Sequence, residues 1–285
     1  MLMLILSIII IIVIVYIVFN IDIGNKIKNT IEKKIHPNKF FSKIYAICIP
    51  DRKEHIKNIM NDLRLNVELV DATLKKNLNL DELVSDGTIT ENYKKNKSTG
   101  KIACHLSHLK TIQMFLDDKS AKSCLIFEDD LKLPYDDNDT IDRMEDVIKD
   151  LPIDWDIVYF GRCWDKTCNK QKQIGKYLYT DVKPLCRHAY AISRNGGEII
   201  LNATLPMHKL NGDQTYLKLI YENKLNAFAV HPQLFNQNRE NFKSDLENYD
   251  DLKECDTNKK KILKRRELNF SPKGYFTSKK PFLNC

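Results

Sequence analysis

Apolar runs of strand length alternate with helical spacings along this chain. Lys43 to Pro50 (Lys-Ile-Tyr-Ala-Ile-Cys-Ile-Pro) is a continuous apolar run, which predicts a buried strand ended by Pro50. Ile56, Ile59, Met60 and Leu63 recur at three and four, which predicts a helix over Arg52 to Leu65. A short strand follows at Val67 to Val70, and then a polar stretch, Lys75 to Ser98, reads as loop with one short helix. Ile102, Leu106, Leu109, Ile112 and Phe115 predict a helix over Lys101 to Leu116. Strands are predicted at Cys124 to Phe127, Trp155 to Phe160, Tyr177 to Val182, His188 to Ile192 and Ala227 to His231. Helices are predicted at Thr140 to Leu151, after a Ser193 cap through Leu201, and at Asp213 to Glu222. Strands alternating with helices predict an α/β fold with a largely parallel sheet.

One run ends differently from the rest. Ser123-Cys-Leu-Ile-Phe127 passes straight into Glu128, Asp129 and Asp130. Strand geometry alternates sides, so Glu128 and Asp130 are expected to point the same way. Carboxylates that close repel by about 4 kcal/mol at an effective dielectric of about 20. Such a pair is either solvated or holds a cation, and the carboxyl end of a strand in an α/β sheet is where ligands bind. Oxygen donors suit a hard ion, Mn²⁺ or Mg²⁺, shared with a phosphate.

The 285 residues suffice for one sizeable α/β domain or two small ones. Leu2 to Phe19 carries no charge and reaches the roughly 18-residue minimum for a membrane span. No basic n-region or small-residue cleavage site accompanies it, so residues 1–20 are expected to form an uncleaved anchor, followed by a stem at 21–42. Lys26, Lys28, Lys33 and Lys34 follow the segment, and by the positive-inside rule they favour a cytoplasmic domain. The catalytic domain is expected over 43–245 and a basic tail over 246–285, where much of the net charge of +7 gathers around Lys259-Lys260-Lys261 and Lys264-Arg265-Arg266. Such a tail suits a membrane surface or an anionic partner, but sparse aromatic residues there count against nucleic acid. Eight cysteines without a CxxC pair exclude a zinc ribbon and a disulfide scaffold. Cys163 and Cys168 could close a small loop in an oxidising compartment. Asn96, Asn138, Asn202 and Asn269 head sequons compatible with a lumenal location.

Several segments, taken in order, resemble glycosyltransferase family 25, which includes bacterial lipopolysaccharide galactosyltransferases and procollagen galactosyltransferases. They are Tyr45 to Arg52, Leu69-Val70-Asp71-Ala72, Gly100 to Leu109 (which resembles a Gly-x-x-x-Cys-x-Leu-Ser-His segment), Leu125 to Leu131, Asp156 to Gly161, Ala189 to Ser193 and Pro232 to Gln237. The opening block departs from the family's pattern, with Cys48-Ile49-Pro50 where Asn-Leu is more usual. The resemblance implies a GT-A type, Rossmann-like fold and an inverting transfer of galactose or glucose. The donor would be a UDP-sugar, and the acceptor a hydroxyl on a glycan, a protein or a lipid-linked sugar. Asp130 is the first choice as metal ligand, with Glu128 and Asp129 next, acting directly or through water. Glu128 and Asp129 could also meet donor hydroxyls. Inversion needs a general base for the acceptor hydroxyl. Asp213 is the best candidate, where the family tends to place an acid; equally it could cap the helix it opens. Asp154 and Asp156 precede a strand and lie at the wrong sheet edge.

Arg52 either reaches a donor phosphate or starts a surface helix. Ser107 and His108 are expected to fix their helix beside the donor pocket, and Gln237 to meet nucleotide or acceptor. Cys104, His105 and His108 invite a weaker zinc reading. His231 is read as packing rather than as a metal ligand. A rival reading is a non-catalytic sugar- or nucleotide-binding module of the same fold. A third is an anionic-polymer binder using the basic tail.

Overall fold

The computed structural model describes residues 34–165 and 170–242, with the backbone of 269–270 and 276–277. Helix α1 (Pro37–Phe40) leads into β1 (Lys43–Cys48), α2 (Lys53–Asp62) and β2 (Glu68–Asp71). Short helices α3 (Leu80–Ser85) and α4 (Glu91–Asn96) precede the long α5 (Thr99–Asp117), then β3 (Ser123–Glu128), β4 (Leu131–Lys132) and α6 (Asp137–Asp150). Next come β5 (Ile157–Gly161), β6 (Trp164–Asp165), β7 (Lys172–Gln173), β8 (Leu178–Thr180), β9 (Pro184–Leu185) and β10 (Ala189–Ser193). Helices α7 (Arg194–Thr204) and α8 (Gly212–Tyr221), then β11 (Ala227–Val230) and β12 (Asn236–Gln237), complete the described domain.

Eight strands pair in the order β2-β1-β3-β10-β5-β11-β8-β7. β1 is parallel to β2 and β3, and β5 is parallel to β11. β10 opposes β3 and β5, and β8 opposes β11 and β7. Six strands therefore share one direction and two run against them, so the expected α/β fold with a mostly parallel sheet is present. The continuous apolar runs have a physical cause, because both faces are buried. Tyr45, Ile47, Cys124, Ile126, Ile157 and Tyr159 face a core shared with α5, α7 and α8. Ile44, Ala46, Cys48, Leu125, Phe127, Val158 and Phe160 face the opposite core with α2 and α6.

Local signals set the helix ends. Ser98 accepts from the Lys101 N–H, so α5 starts at Thr99, two residues before the predicted Lys101. Ser193 caps α7 as the sequence predicts, its hydroxyl accepting from Gly196 N at 3.0 Å. The stretch 75–98 holds a 3-10 turn at Lys75–Asn77 and two short α-helices rather than one, the latter capped by Asn79 and Thr90. Phe41 is buried against Phe160, so the chain ahead of β1 already packs into the domain.

No helix among the described residues is long and apolar enough to cross a membrane. The anchor expected at 1–20, the stem up to residue 33 and the tail from 246, save four backbone positions, lie outside the described residues.

Candidate functional site

The parallel strands β1, β2 and β3 deliver their carboxyl ends to one rim of the sheet, and a cleft of about 320 Å³ opens there. Ile49, Pro50 and Arg52 from the end of β1 form one wall, with Ala72 to Lys76 from the end of β2 beside them. Gly100, Ala103, Cys104, Ser107 and His108 of α5 form another wall. Glu128, Asp129 and Asp130 line it from β3, and Gln237 and Arg239 close it from the C-terminal side. The antiparallel pairing of β12 with β4 brings those last two residues over the acidic strand end.

The three acids divide as the strand pleat demands. Glu128 and Asp130 share the Gln237 amide, which donates to Glu128 Oε2 at 3.3 Å and to Asp130 Oδ2 at 3.4 Å. Asp129 turns the other way. Its Oδ2 accepts from Ile49 N at 2.7 Å and its Oδ1 pairs with the Arg52 guanidinium at 3.1 Å. Asp129 thus ties the turn after β1 to the strand end, and Arg52 also lies over the Phe242 ring. Burial pushes the Asp129 carboxyl above its ordinary value, against the pull of the Ile49 N–H and Arg52.

Asp130 is 4% exposed. Its Oδ2 meets Arg239 at 3.0 Å, while its Oδ1 is buried with no hydrogen-bond partner. Burial and the neighbouring Glu128 push its carboxyl up to about 6. An orphaned buried carboxylate oxygen is expensive, and a cation beside it would satisfy it. The Glu128–Asp130 pair therefore fits a hard divalent ion.

His108 is fixed at both nitrogens, Nε2 facing Glu128 Oε1 at 3.0 Å and Nδ1 facing the Tyr190 hydroxyl at 3.0 Å. Burial, assisted by Arg187, holds it well below the ordinary histidine range, so it is neutral. The tautomer that satisfies both partners donates from Nε2–H and accepts at Nδ1. Ser107 also lines the cleft, but its Oγ accepts from Thr73 N at 2.9 Å and donates to the Ala103 carbonyl at 2.8 Å, fastening α5 to the end of β2. His105 turns away to the Tyr93 hydroxyl. Of the three residues considered for zinc, Cys104 and His108 meet, and they meet Glu128 rather than His105.

Asp213 does not line this cleft. It stands in the first turn of α8, where Oδ1 accepts from Gln214 N at 2.9 Å and Oδ2 from Cys186 N at 3.4 Å. Asn211, not Asp213, is the cap of that helix. Asp213 is close enough to Cys104 for its charge to act on that thiol. Gly212 beside it packs directly against the buried Arg187 guanidinium, which a Cβ there would displace. Asp156 is structural, accepting from Asn195 and from Asn226 N. His231 is exposed, its ring edge-on to Tyr179. Cys163 pairs with Cys186, not with Cys168, which lies outside the described residues. Arg239 and Lys75-Lys76 were not singled out by sequence; the signal for Arg239 was its place two residues beyond Gln237.

Residues 41–280 match Glycosyltransferase family 25 (LPS biosynthesis protein). The chain is 25% identical over 232 residues to procollagen galactosyltransferase 1-B of Xenopus laevis, covering 72% of this chain and 37% of that protein. It is 23% identical over 206 residues to probable inactive glycosyltransferase 25 family member 3 of Rattus norvegicus, covering 65% of this chain and 34% of that protein. The chain thus spans about a third of the length of these relatives. Among solved structures it is similar to a glycosyltransferase involved in glycosylation of the major capsid of PBCV-1, with 10% identity and a TM-score of 0.40 over 68% of this chain and 91% of that one.

Proposed function

The chain belongs to glycosyltransferase family 25, and from that premise we propose a metal-dependent, inverting transfer of a hexose, galactose or glucose, from a UDP-sugar to a hydroxyl acceptor on a glycan, protein or lipid. One observation carries this reading: Glu128 and Asp130 are held together over a cleft, with one Asp130 oxygen buried and unpartnered. Asp130 and Glu128 would hold Mn²⁺ or Mg²⁺, which supplies positive charge where the departing diphosphate becomes more negative. Gln237 keeps the two carboxylates side by side. Asp129 anchors the Ile49–Arg52 turn, so that Arg52 stands at the cleft wall as a donor contact. Asp213 stands outside the cleft but close enough to act on Cys104 in its wall, and, oriented by two backbone N–H groups, it would take the proton of an acceptor hydroxyl that reaches past the cleft to α8.

The relative named a procollagen galactosyltransferase supports galactose as the sugar. The relative named probable inactive favours the rival, a module that binds nucleotide without turnover. Measuring free UDP released from a panel of UDP-sugars, with and without Mn²⁺, separates the two. Transfer requires release that EDTA abolishes and that Asp130→Asn lowers by at least about 100-fold. Full activity in Asp130→Asn refutes the site assignment, and calorimetric UDP binding without release from any donor supports the rival. Asp213→Asn is expected to lower kcat with the donor KM little changed.

The apolar segment Leu2 to Phe19 would anchor the chain. The Cys163–Cys186 disulfide supports a domain on the oxidising side of that membrane, against the lysines that follow the segment.

A further inference from the structure

The α5 wall of the cleft differs in chemistry from the acid pair. Cys104 and His108 stand four residues apart on one helix, so their side chains share a face. Cys104 Sγ, a ring nitrogen of His108 and a carboxylate oxygen of Glu128 all lie within 4.8 Å of one another. A thiol, an imidazole and a single carboxylate are not the donors a hard ion selects; they match the sulfur, nitrogen and oxygen ligands of Zn²⁺. Two other free cysteines among the described residues, Cys48 and Cys124, are sealed in the core, whereas Cys104 lines the cleft. His108 also has the support that metal-bound histidines use, a hydrogen-bond partner on the nitrogen turned away from the site, here Tyr190.

We propose that Cys104, His108 and Glu128 form a second metal position, thiolate-containing, that takes Zn²⁺ and leaves a coordination place open to the cleft. Binding releases one proton, from the Cys104 thiol, to solvent. The His108 ring proton moves from Nε2 to Nδ1, where the Tyr190 hydroxyl oxygen accepts it, and the freed Nε2 lone pair binds the ion. Glu128 belongs to both positions, so Zn²⁺ withdraws a ligand from the pair it forms with Asp130. This last step rests on the proposed transferase reading; the site itself does not.

Co²⁺ is the probe, because thiolate-bound tetrahedral Co²⁺ absorbs in the near ultraviolet by charge transfer and strongly in the visible. Titrating the purified full chain with Co²⁺ is expected to give both signals, and added Zn²⁺ should abolish them. Cys104→Ser should lose the near-ultraviolet band, Glu128→Gln should weaken binding, and Asp130→Asn should keep the band. No band in the parent protein, or a band that survives Cys104→Ser, overturns the site. In protein that turns over a UDP-sugar, Zn²⁺ should inhibit in competition with Mn²⁺, and insensitivity to Zn²⁺ overturns the sharing of Glu128. The spectrum needs no turnover, so a silent donor screen leaves the site standing, and a missing band leaves the transferase reading standing.

Discussion

Arg239 shows what a single residue does at this site. Its guanidinium meets Asp130 Oδ2 at 3.0 Å, and together with Arg52 it supplies the positive charge that the buried carboxylate sees. A metal ion arriving at Asp130 must compete with it. Arg239 is 38% exposed, so the pair is partly screened and contributes about 1 kcal/mol or less. Arg239→Ala is therefore expected to tighten Mn²⁺ binding, by roughly fivefold at most, in calorimetry without donor; weaker or unchanged binding refutes the competition. The sequence exposed the acids because a charged triplet ending an apolar run is unusual. It did not expose their partners. Asp129 was expected to meet donor hydroxyls, and the structure places it on the Ile49 N–H; Ser107 was expected to fix its helix, and does so, but its partner, Thr73 N, was not legible. Residue type shows what a side chain can do, whereas its partner depends on which loops the sheet brings together.

Elements obey the same division. The central strands β1, β3, β5, β10 and β11 were legible because burial on both faces leaves continuous apolar runs. The two-residue strands β4, β6, β7, β9 and β12 were not, since so short a pairing has no periodic signature. That blindness reached the cysteines. Cys168 is nearer to Cys163 in sequence, but pairing of β6 with β9 lets Cys163 N donate to the Leu185 carbonyl at 3.1 Å and so brings Cys186 alongside. The bridge closes a sequence separation of 23 residues, for which chain entropy gives about 3 kcal/mol. Urea unfolding with and without reductant should show a loss of that order, absent from a Cys163→Ser/Cys186→Ser double variant, which starts at the lower stability. The bridge also holds the segment from which Cys186 N reaches Asp213. Reduction is accordingly expected to lower turnover before it unfolds the domain, and equal unfolding midpoints in both states would remove the stabilising role.

At the scale of the whole molecule, the sheet buries ionisable groups between its helices and thereby couples stability to pH. His105, His108 and His188 are each 1% exposed, and burial holds all three below their ordinary value of 6.5. Arg187 adds to this for His105 and His108, with His108 and Lys97 also acting on His105. Around His188, Glu128 and the Phe235 carbonyl oppose the shift, and Arg239 and Arg162 support it. Unfolding returns each ring to water, where it takes a proton as pH falls through 6.5. The unfolded state then binds protons that the native state refuses, so stability is complete above 6.5 and declines below it. Each histidine contributes up to about 1.4 kcal/mol per pH unit. Asp130 acts in the opposite sense, because its carboxyl, raised to about 6, takes a proton in the native state before the unfolded chain would. Asp129 is raised as well and opposes the decline in the same way. Both carboxyls release that stabilisation only as pH climbs back through their raised values, and three histidines outweigh them just below 6.5. Urea midpoints of the metal-free protein should therefore fall between pH about 7.5 and pH about 5.5. His105→Asn should flatten that slope while lowering stability at the upper pH, because Tyr93 loses its ring partner. A flat profile in the parent protein would mean that these rings gain protons without loss of the native packing.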